Sequence, residues 1–550
     1  NGNDCQRNTL HNRRNLHQIG RLKMKRIFHY ILFQLLLLFA CYSLFTDIND
    51  SLIVGKWIGV YTVVVVMILY TIIAYKNPFT SAERHYRLFA VSMLIINIVV
   101  SVHCLLQLTA ILPNNTTFPA TAGFDNPAGV AATLTATYPF VFLIHKTNAK
   151  NNLFAGILFA FDILILFLIE SRSGLLSLTA VYVCYIVLSV KSPKKRFLFG
   201  ILTLLTISIA VFVLFQRKTA STVGRSIILK TCFEMIKDAP LFGYGPNGFA
   251  TNYMMYQAEY LKQLSGTNIQ LLADNINHPL CEYAIITVNY GLVGLAVILT
   301  LCFSLCCYLY KQKGLIYKTT LLVLCGIMVL SMFSYPFRYP ITLISILTLL
   351  LLIVLEKLDL SKASVIITPK TLFSIKCIVL IAVIATLFSF IPWFTAQTRW
   401  YKLSTSLDNT TAESKHLTEY EALLSTLGRS EYFLYNYAVE LHYAGYDDKA
   451  DSIMHLCEAK RRDYNTTLLR GDIYDKLNNF QKADSCYKLC CDMCPARFIP
   501  LYNRYNLYKQ RQDSTMMKQI GNEILNKPIK VSSKEVRSIR LKIRQEMLGL

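Results

Sequence analysis

Charge is scarce in this sequence: only 16% of its 550 residues are Asp, Glu, Lys or Arg, while 54% are apolar. That balance excludes an ordinary soluble enzyme of this length and makes a membrane protein the first reading. Acid is the scarcer sign, with 33 acidic against 56 basic residues and a net charge of +23. The excess does not point to nucleic acid, because the basic residues sit in short clusters between apolar runs, as topology signals do. The opening NGNDCQRNTLHNRRNLHQIGRLKMKR lacks an A-x-A-like cleavage site and has no Met before Met24. Residues 1–26 therefore read as a cytosolic basic tail or a misread start, with no function placed on them. Outside the apolar runs there is also no carboxylate cluster with metal-ligand spacing, so neither a metal nor a cofactor is expected.

What the chain does have is long apolar stretches. A helix needs about 20 such residues to cross the hydrocarbon core, and about eleven stretches qualify. They lie roughly at 27 to 45, 53 to 74, 88 to 112, 126 to 145, 152 to 169, 173 to 190, 197 to 215, 283 to 310, 319 to 335, 339 to 355 and 374 to 394. Lys and Arg concentrate in the N-terminal tail and in alternate connections, such as Lys191, Lys194, Lys195 and Arg196. The opposite set of short connections carries only Arg172 and Arg338. Positive loops resist translocation, which puts the N-terminus in the cytosol. An odd number of crossings then leaves two longer segments outside, 216 to 282 and everything after about 395, both periplasmic in a diderm bacterium.

The expected fold is all-α: a polytopic membrane helix bundle (27–394) with a periplasmic loop, followed by an α-helical repeat domain (395–550). In that last part YAGYDDKADSIMHL is echoed by DKLNNFQKADSCYKL and YKQRQDSTMMKQI, with Ala450, Ala483 and Met517 in register. The spacing, with Pro495 following the second unit, resembles tetratricopeptide repeats, in which helix pairs stack to share a core. Such a stack serves either as a surface for a protein partner or acceptor, or as a stabilising appendage. Cys486, Cys490, Cys491 and Cys494 crowd one of these helices, but zinc ordinarily recruits two separated pairs. Buried thiols or a single disulfide fit this cluster better.

An ionisable residue interrupting an apolar run is a functional candidate, because burying it in a membrane is costly. Arg172, within LFLIESRSGLLSLTAV, is such an interruption, unless it is neutralised by Glu170 or reaches the interface. In the long loop, GRSIILKTCFEMIKDAPLFGYGPNGF predicts a helix starting near Arg225, stopped by Pro240 and a turn at Gly243, Gly245 and Gly248. A guanidinium is well built to grip phosphate. NINHPLCEYAIITVNYGLVGL then brings His278 to the mouth of the next span, and histidine is suited to proton abstraction near neutral pH. Tyr253, Tyr256 and Tyr260 suit either sugar stacking or interfacial anchoring.

The order GFDNPAGVAATL, ESRSGLLSL, GRSIILKTCFEMIKDAPLFGYGPNGF and NHPLCEYAIITVNYGLVGL, set among spans, resembles the O-antigen ligase and polymerase superfamily over about 120 to 340. FSYPFRYP at 333 to 340 is similar to a later, weaker family segment. The resemblance implies an inner-membrane enzyme performing a metal-independent, inverting transfer from an undecaprenyl-pyrophosphate-linked glycan. It implies that Arg172 and Arg225 hold the pyrophosphate and that His278 deprotonates the acceptor hydroxyl, with Asn126, Gly243, Gly245, Asn277 and Arg338 as supporting positions. Family members commonly have twelve spans with both ends inside, a departure that makes the acceptor an open question. Lipid A core, a growing glycan and a protein hydroxyl would mean ligase, polymerase and protein O-oligosaccharyltransferase respectively, with the ligase type favoured. A lipid-linked glycan transporter is the non-enzymatic alternative; it fits less well, because the candidates gather on one side and no inverted repeat is visible.

Overall fold

The computed structural model describes residues 82–114, 116–144, 149–189, 219–264, 268–357, 369–405 and 413–548, with isolated positions between 192 and 205. All regular structure among these residues is helical. The expected spans at 27 to 45 and 53 to 74, and most of that at 197 to 215, lie outside the described residues. Each of the remaining stretches coincides with helix. The described residues fall into two compact units.

The first unit takes its residues from Asn1–Arg196, Gln312–Ile327 and Phe337–Ser389. Its described helices are α1 (Ala82–Leu108), α2 (Pro127–Thr137), α3 (Ala149–Leu168), α4 (Arg172–Ser189), most of α8 (Leu315–Ser331), α9 (Pro340–Lys357) and the first part of α10 (Pro369–Thr405). A helix apolar all round belongs in the interior of a bundle. α2 is of that kind: every residue from Gly129 to Thr137 is buried, and the helix runs on through Tyr138–Phe140 into Val141–Ile144. Phe89 meets Phe140 edge to face at 5.3 Å. Small residues let the helices approach closely. A Cβ on Gly326 would come within 2.5 Å of Val181 and 2.7 Å of Thr135. Thr135 and Ser177 share a hydrogen bond of 2.7 Å beside it.

Among the described residues, three stretches, Phe89–Leu108, Pro127–Ile144 and Glu282–Lys311, are long and apolar enough to cross a membrane, and shorter apolar helices accompany them. The last of these, α7 (Glu282–Lys311), opens the membrane-length part of the second unit, and Val297, Leu301 and Phe303 stand exposed along it. Apolar side chains on the outside of a helix are what lipid contact requires.

The second unit gathers Phe197–Lys311, Met328–Pro336 and Phe390–Leu550. α5 (Thr219–Asp238) and α6 (Gly248–Gln263) precede α7. After α10 and α11 (Glu413–Leu427) come three successive helix pairs: α12 (Glu431–Tyr443) with α13 (Asp447–Glu458), α14 (Tyr464–Lys476) with α15 (Phe480–Met493), and α16 (Ile499–Gln510) with α17 (Ser514–Asn526). α18 (Lys534–Met547) follows them. Ala450, Ala483 and Met517 each occupy the fourth position of the second helix in their pair, and all three are buried. The sequence periodicity is thus the period of the core. Trp400, near the end of α10, packs edge to face on Phe433 and donates its indole N–H to Asn436 Oδ1 at 2.7 Å, which ties the long helix to the first pair.

Candidate functional site

The long helix α7 is interrupted at Gly291, whose backbone lies at φ 68°, ψ −173°. Only glycine adopts that conformation readily. The interruption exposes backbone groups, and the PLFGYG turn after α5 takes them up. Tyr244 N–H donates to Val288 O (3.0 Å), Gly245 N–H to Asn289 O (2.8 Å), Leu292 N–H to Pro240 O (2.8 Å) and Val293 N–H to Leu241 O (3.2 Å). A Cβ on Gly243 would lie 2.4 Å from Val288 O, so this glycine allows backbone to meet backbone. Gly245 contributes a positive φ of 88° with open space around it. Asn289 staples the arrangement, accepting from Phe249 N–H at 2.9 Å and donating to Pro246 O at 3.3 Å. The glycine-rich motif therefore joins α5 to α7.

Arg225, in the first half of α5, donates through Nη1 to Phe333 O at 2.8 Å. His278 comes from the irregular stretch before α7 and sets its ring 4.9 Å from that of Tyr335. Residues far apart in sequence are thus brought to one short segment, 333–335. Leu280 adopts φ 58° and turns its N–H back to His278 Nδ1 at 3.1 Å. A left-handed leucine costs roughly 1–2 kcal/mol, so the surrounding structure holds it there. The bond also selects a tautomer: with Nδ1 accepting, the neutral ring carries its proton on Nε2. Asn277, beside it, is exposed.

Arg172 is in the first unit, as the first residue of α4. The corner before it is a Schellman turn: Glu170 is left-handed (φ 57°), Glu170 N–H donates to Phe167 O and Ser171 N–H to Leu166 O. A Cβ on Gly174 would meet Leu166 at 2.7 Å, Ala131 at 2.9 Å and Ser171 Oγ at 2.9 Å. The glycine of S-R-S-G thus lets α4 close on α2 and α3 while the corner sets Arg172 at the helix start. Asn126 is the N-cap of α2, accepting from Ala128 N–H at 2.7 Å ahead of Pro127. Tyr339 donates to Asp125 at 2.8 Å, directly after Arg338, which ends a short 3₁₀ turn.

Burial removes some of the sequence candidates from any ligand. Tyr253 is buried and stacked on Phe249, with its hydroxyl donating to Gln257 Oε1 at 2.9 Å, so it serves the core and is unavailable for sugar stacking or anchoring. Tyr256 bonds Asp238 at 2.5 Å and Tyr244 at 2.6 Å. Cys490 and Cys494 are buried thiols in a core shared by α5, α6 and the repeats, and burial pushes Cys494 up to about 12.

Sequence reasoning also missed residues. Asp162 is completely buried in the first unit, accepting from Asn97 at 3.0 Å and Ser101 at 3.0 Å, while Asn97 also reaches Thr137. The signal was present, since FAFDILILF is an apolar run interrupted by an acid, as Arg172 interrupts its own run. Asp274, four residues before His278, is bound by Arg497 through Nη2 at 2.7 Å and Nε at 3.0 Å. No sequence signal joins residues so far apart.

Among the described residues the fold is all-helical, with membrane-length apolar helices and chemistry-bearing residues concentrated around α4, α5 and α7.

 Residues 157–299, which take in α4, α5 and the first part of α7, match the family model for O-antigen ligase. That stretch is thus similar to an O-antigen ligase domain, whose family comprises glycan-transferring membrane proteins. No curated protein and no solved structure matches the chain.

Proposed function

We propose that the protein transfers a glycan from an undecaprenyl-pyrophosphate carrier to an acceptor hydroxyl on the extracytoplasmic side of the bacterial inner membrane, in the manner of an O-antigen ligase. The observation that carries this reading is the meeting of Arg225 and His278 on the segment 333–335 of one unit, inside or beside the stretch that matches the family. Arg225 and Arg172 neutralise the diphosphate as it leaves. Two guanidiniums supply the electrostatic stabilisation that a developing dianion needs, and a backbone bond such as that from Arg225 to Phe333 O orients the fork.

His278 acts through Nε2, the nitrogen turned away from Leu280. To take the proton of the acceptor hydroxyl there, the ring first shifts its own proton to Nδ1, giving up the Leu280 bond. That bond is worth about 0.5–1.5 kcal/mol. General base catalysis returns roughly 3–5 kcal/mol, so the exchange still favours reaction. The proton passes to His278 and is held there as the imidazolium, the hydroxyl oxygen attacks the anomeric carbon from the face opposite the diphosphate, and the C1–O bond to the carrier pyrophosphate breaks with inversion.

The test is transfer by purified protein from a defined lipid-linked glycan to lipid A core, glycan or protein acceptors, with and without a chelator. His278→Ala and Arg225→Ala should each abolish transfer at unchanged membrane abundance, and Arg172→Lys should fail as well, because an ammonium cannot make the forked contact. Wild-type transfer by a well-expressed His278→Ala variant removes the proposed base.

A further inference from the structure

Among its described residues, the stretch between α6 and α7 that bears His278 has one short 3₁₀ turn, Asn268–Leu272, yet it is held at several points from a distant part of the chain. Arg497, just before α16, places two N–H groups on Asp274 Oδ1, at 2.7 and 3.0 Å. The Asp274 carbonyl accepts from Gln257 Nε2 at 3.0 Å, and the same nitrogen reaches Met493 O at 2.8 Å. Gln257 is completely buried, so these contacts are shielded from water. Asn275 donates to Asp463 at 3.3 Å and accepts from Tyr464 N–H at 3.4 Å. Beneath them lies a continuous apolar core in which Phe249, Tyr253 and Val288 pack with Tyr464, Cys490 and Met493. Asp274 and Asn275 are thus fixed from both sides, four and three residues before the imidazole.

We propose that the C-terminal helix pairs are a brace that sets the working position of His278, with Arg497 and Gln257 as positioning residues acting through Asp274 and Asn275. The inference rests on the catalytic reading of His278. It gives the repeats a task inside the enzyme: a rigid stack of helix pairs supplies fixed anchor points that an irregular stretch lacks. Displacing a catalytic group by about 1 Å can lower the rate by 10²-fold. The Arg497–Asp274 pair is itself partly exposed, with side chains 39% and 50% accessible. Such pairs add little to global stability. Its loss should therefore appear in turnover far more than in unfolding.

The experiment uses full-length protein in detergent or nanodiscs with lipid-linked glycan as donor. Arg497→Ala should lower kcat by roughly 10–100-fold, leave KM for the donor and the unfolding temperature near wild type, and accelerate amide exchange at 275–280. Arg497→Lys, which keeps one contact to Asp274, should recover much of the loss. Unchanged exchange at 275–280 in Arg497→Ala overturns the brace. Accelerated exchange with wild-type kcat overturns the positioning role while the transfer reading stands. Wild-type transfer by His278→Ala defeats the transfer reading instead, and accelerated exchange in Arg497→Ala then still supports the brace.

Discussion

Replacing Gly291 with alanine should uncouple α5 from α7. At φ 68°, ψ −173° a residue bearing a Cβ is strained, and the added carbon would lie 2.1 Å from Leu241 O and 2.5 Å from Phe242 N. Holding that backbone conformation costs about 1–3 kcal/mol, and overpacking of this kind about 1–3 kcal/mol more. Straightening the helix relieves both but breaks the four backbone bonds that join residues 240–245 to 288–293. At about 0.5–1.5 kcal/mol each, those bonds represent a loss of similar size. Either route costs several kcal/mol, and the second also frees the turn that follows the Arg225 helix. Thermal unfolding in detergent would show the loss, and amide exchange at Tyr244, Gly245, Leu292 and Val293 would localise it. Gly224→Ala is the control: nothing lies within 4 Å of its added Cβ, and it stands inside α5. Alanine there should be neutral or stabilising by about 0.5–1 kcal/mol. A Gly291→Ala protein with wild-type unfolding and unchanged protection at those four amides would refute the coupling.

Gly174→Ala should destabilise the first unit by about 1–3 kcal/mol, since its Cβ would meet Leu166, Ala131 and Ser171 at under 3 Å; a thermal shift near zero would show that the α3–α4 corner yields. Maleimide should leave Cys490 and Cys494 unmodified in the native protein and label them on unfolding, because both are buried in the core between the repeats and α6 and burial raises their thiol pKa values. Rapid native labelling, read by mass spectrometry, would contradict that packing.

The helices were legible because their apolar runs are long, and the repeat pairs because a small or apolar residue recurs at the same helical position. What periodicity does not encode is which polar atoms meet. Arg225, Arg172 and His278 stood out as residue types with a chemistry, but the glycines after Pro240 read only as a turn that stops a helix, whereas Gly243 and Gly291 serve a backbone-to-backbone joint. Tyr253 shows the same limit. Its place in a tyrosine-rich loop suggested a ligand or an interface, and its ring lies in a core completed by residues more than 200 positions later.

That joint and that core account for why motifs so far apart in sequence travel together in one domain. α5 bears Arg225, α7 follows directly from His278, and the PLFGYG turn bonds the end of one to the kink of the other. A phosphate-binding guanidinium and a base must keep a fixed separation if they are to serve the two ends of one displacement. Loop chain alone cannot fix that separation, since each residue of it has conformational freedom to lose. Backbone bonds across the Gly291 kink, with Asn289 closing the turn beneath them, constrain it on one side. The contacts from Arg497 and Gln257 to the stretch before His278 constrain it on the other. On the proposed transfer reading, loosening either constraint should therefore impair turnover by shifting Arg225 or His278.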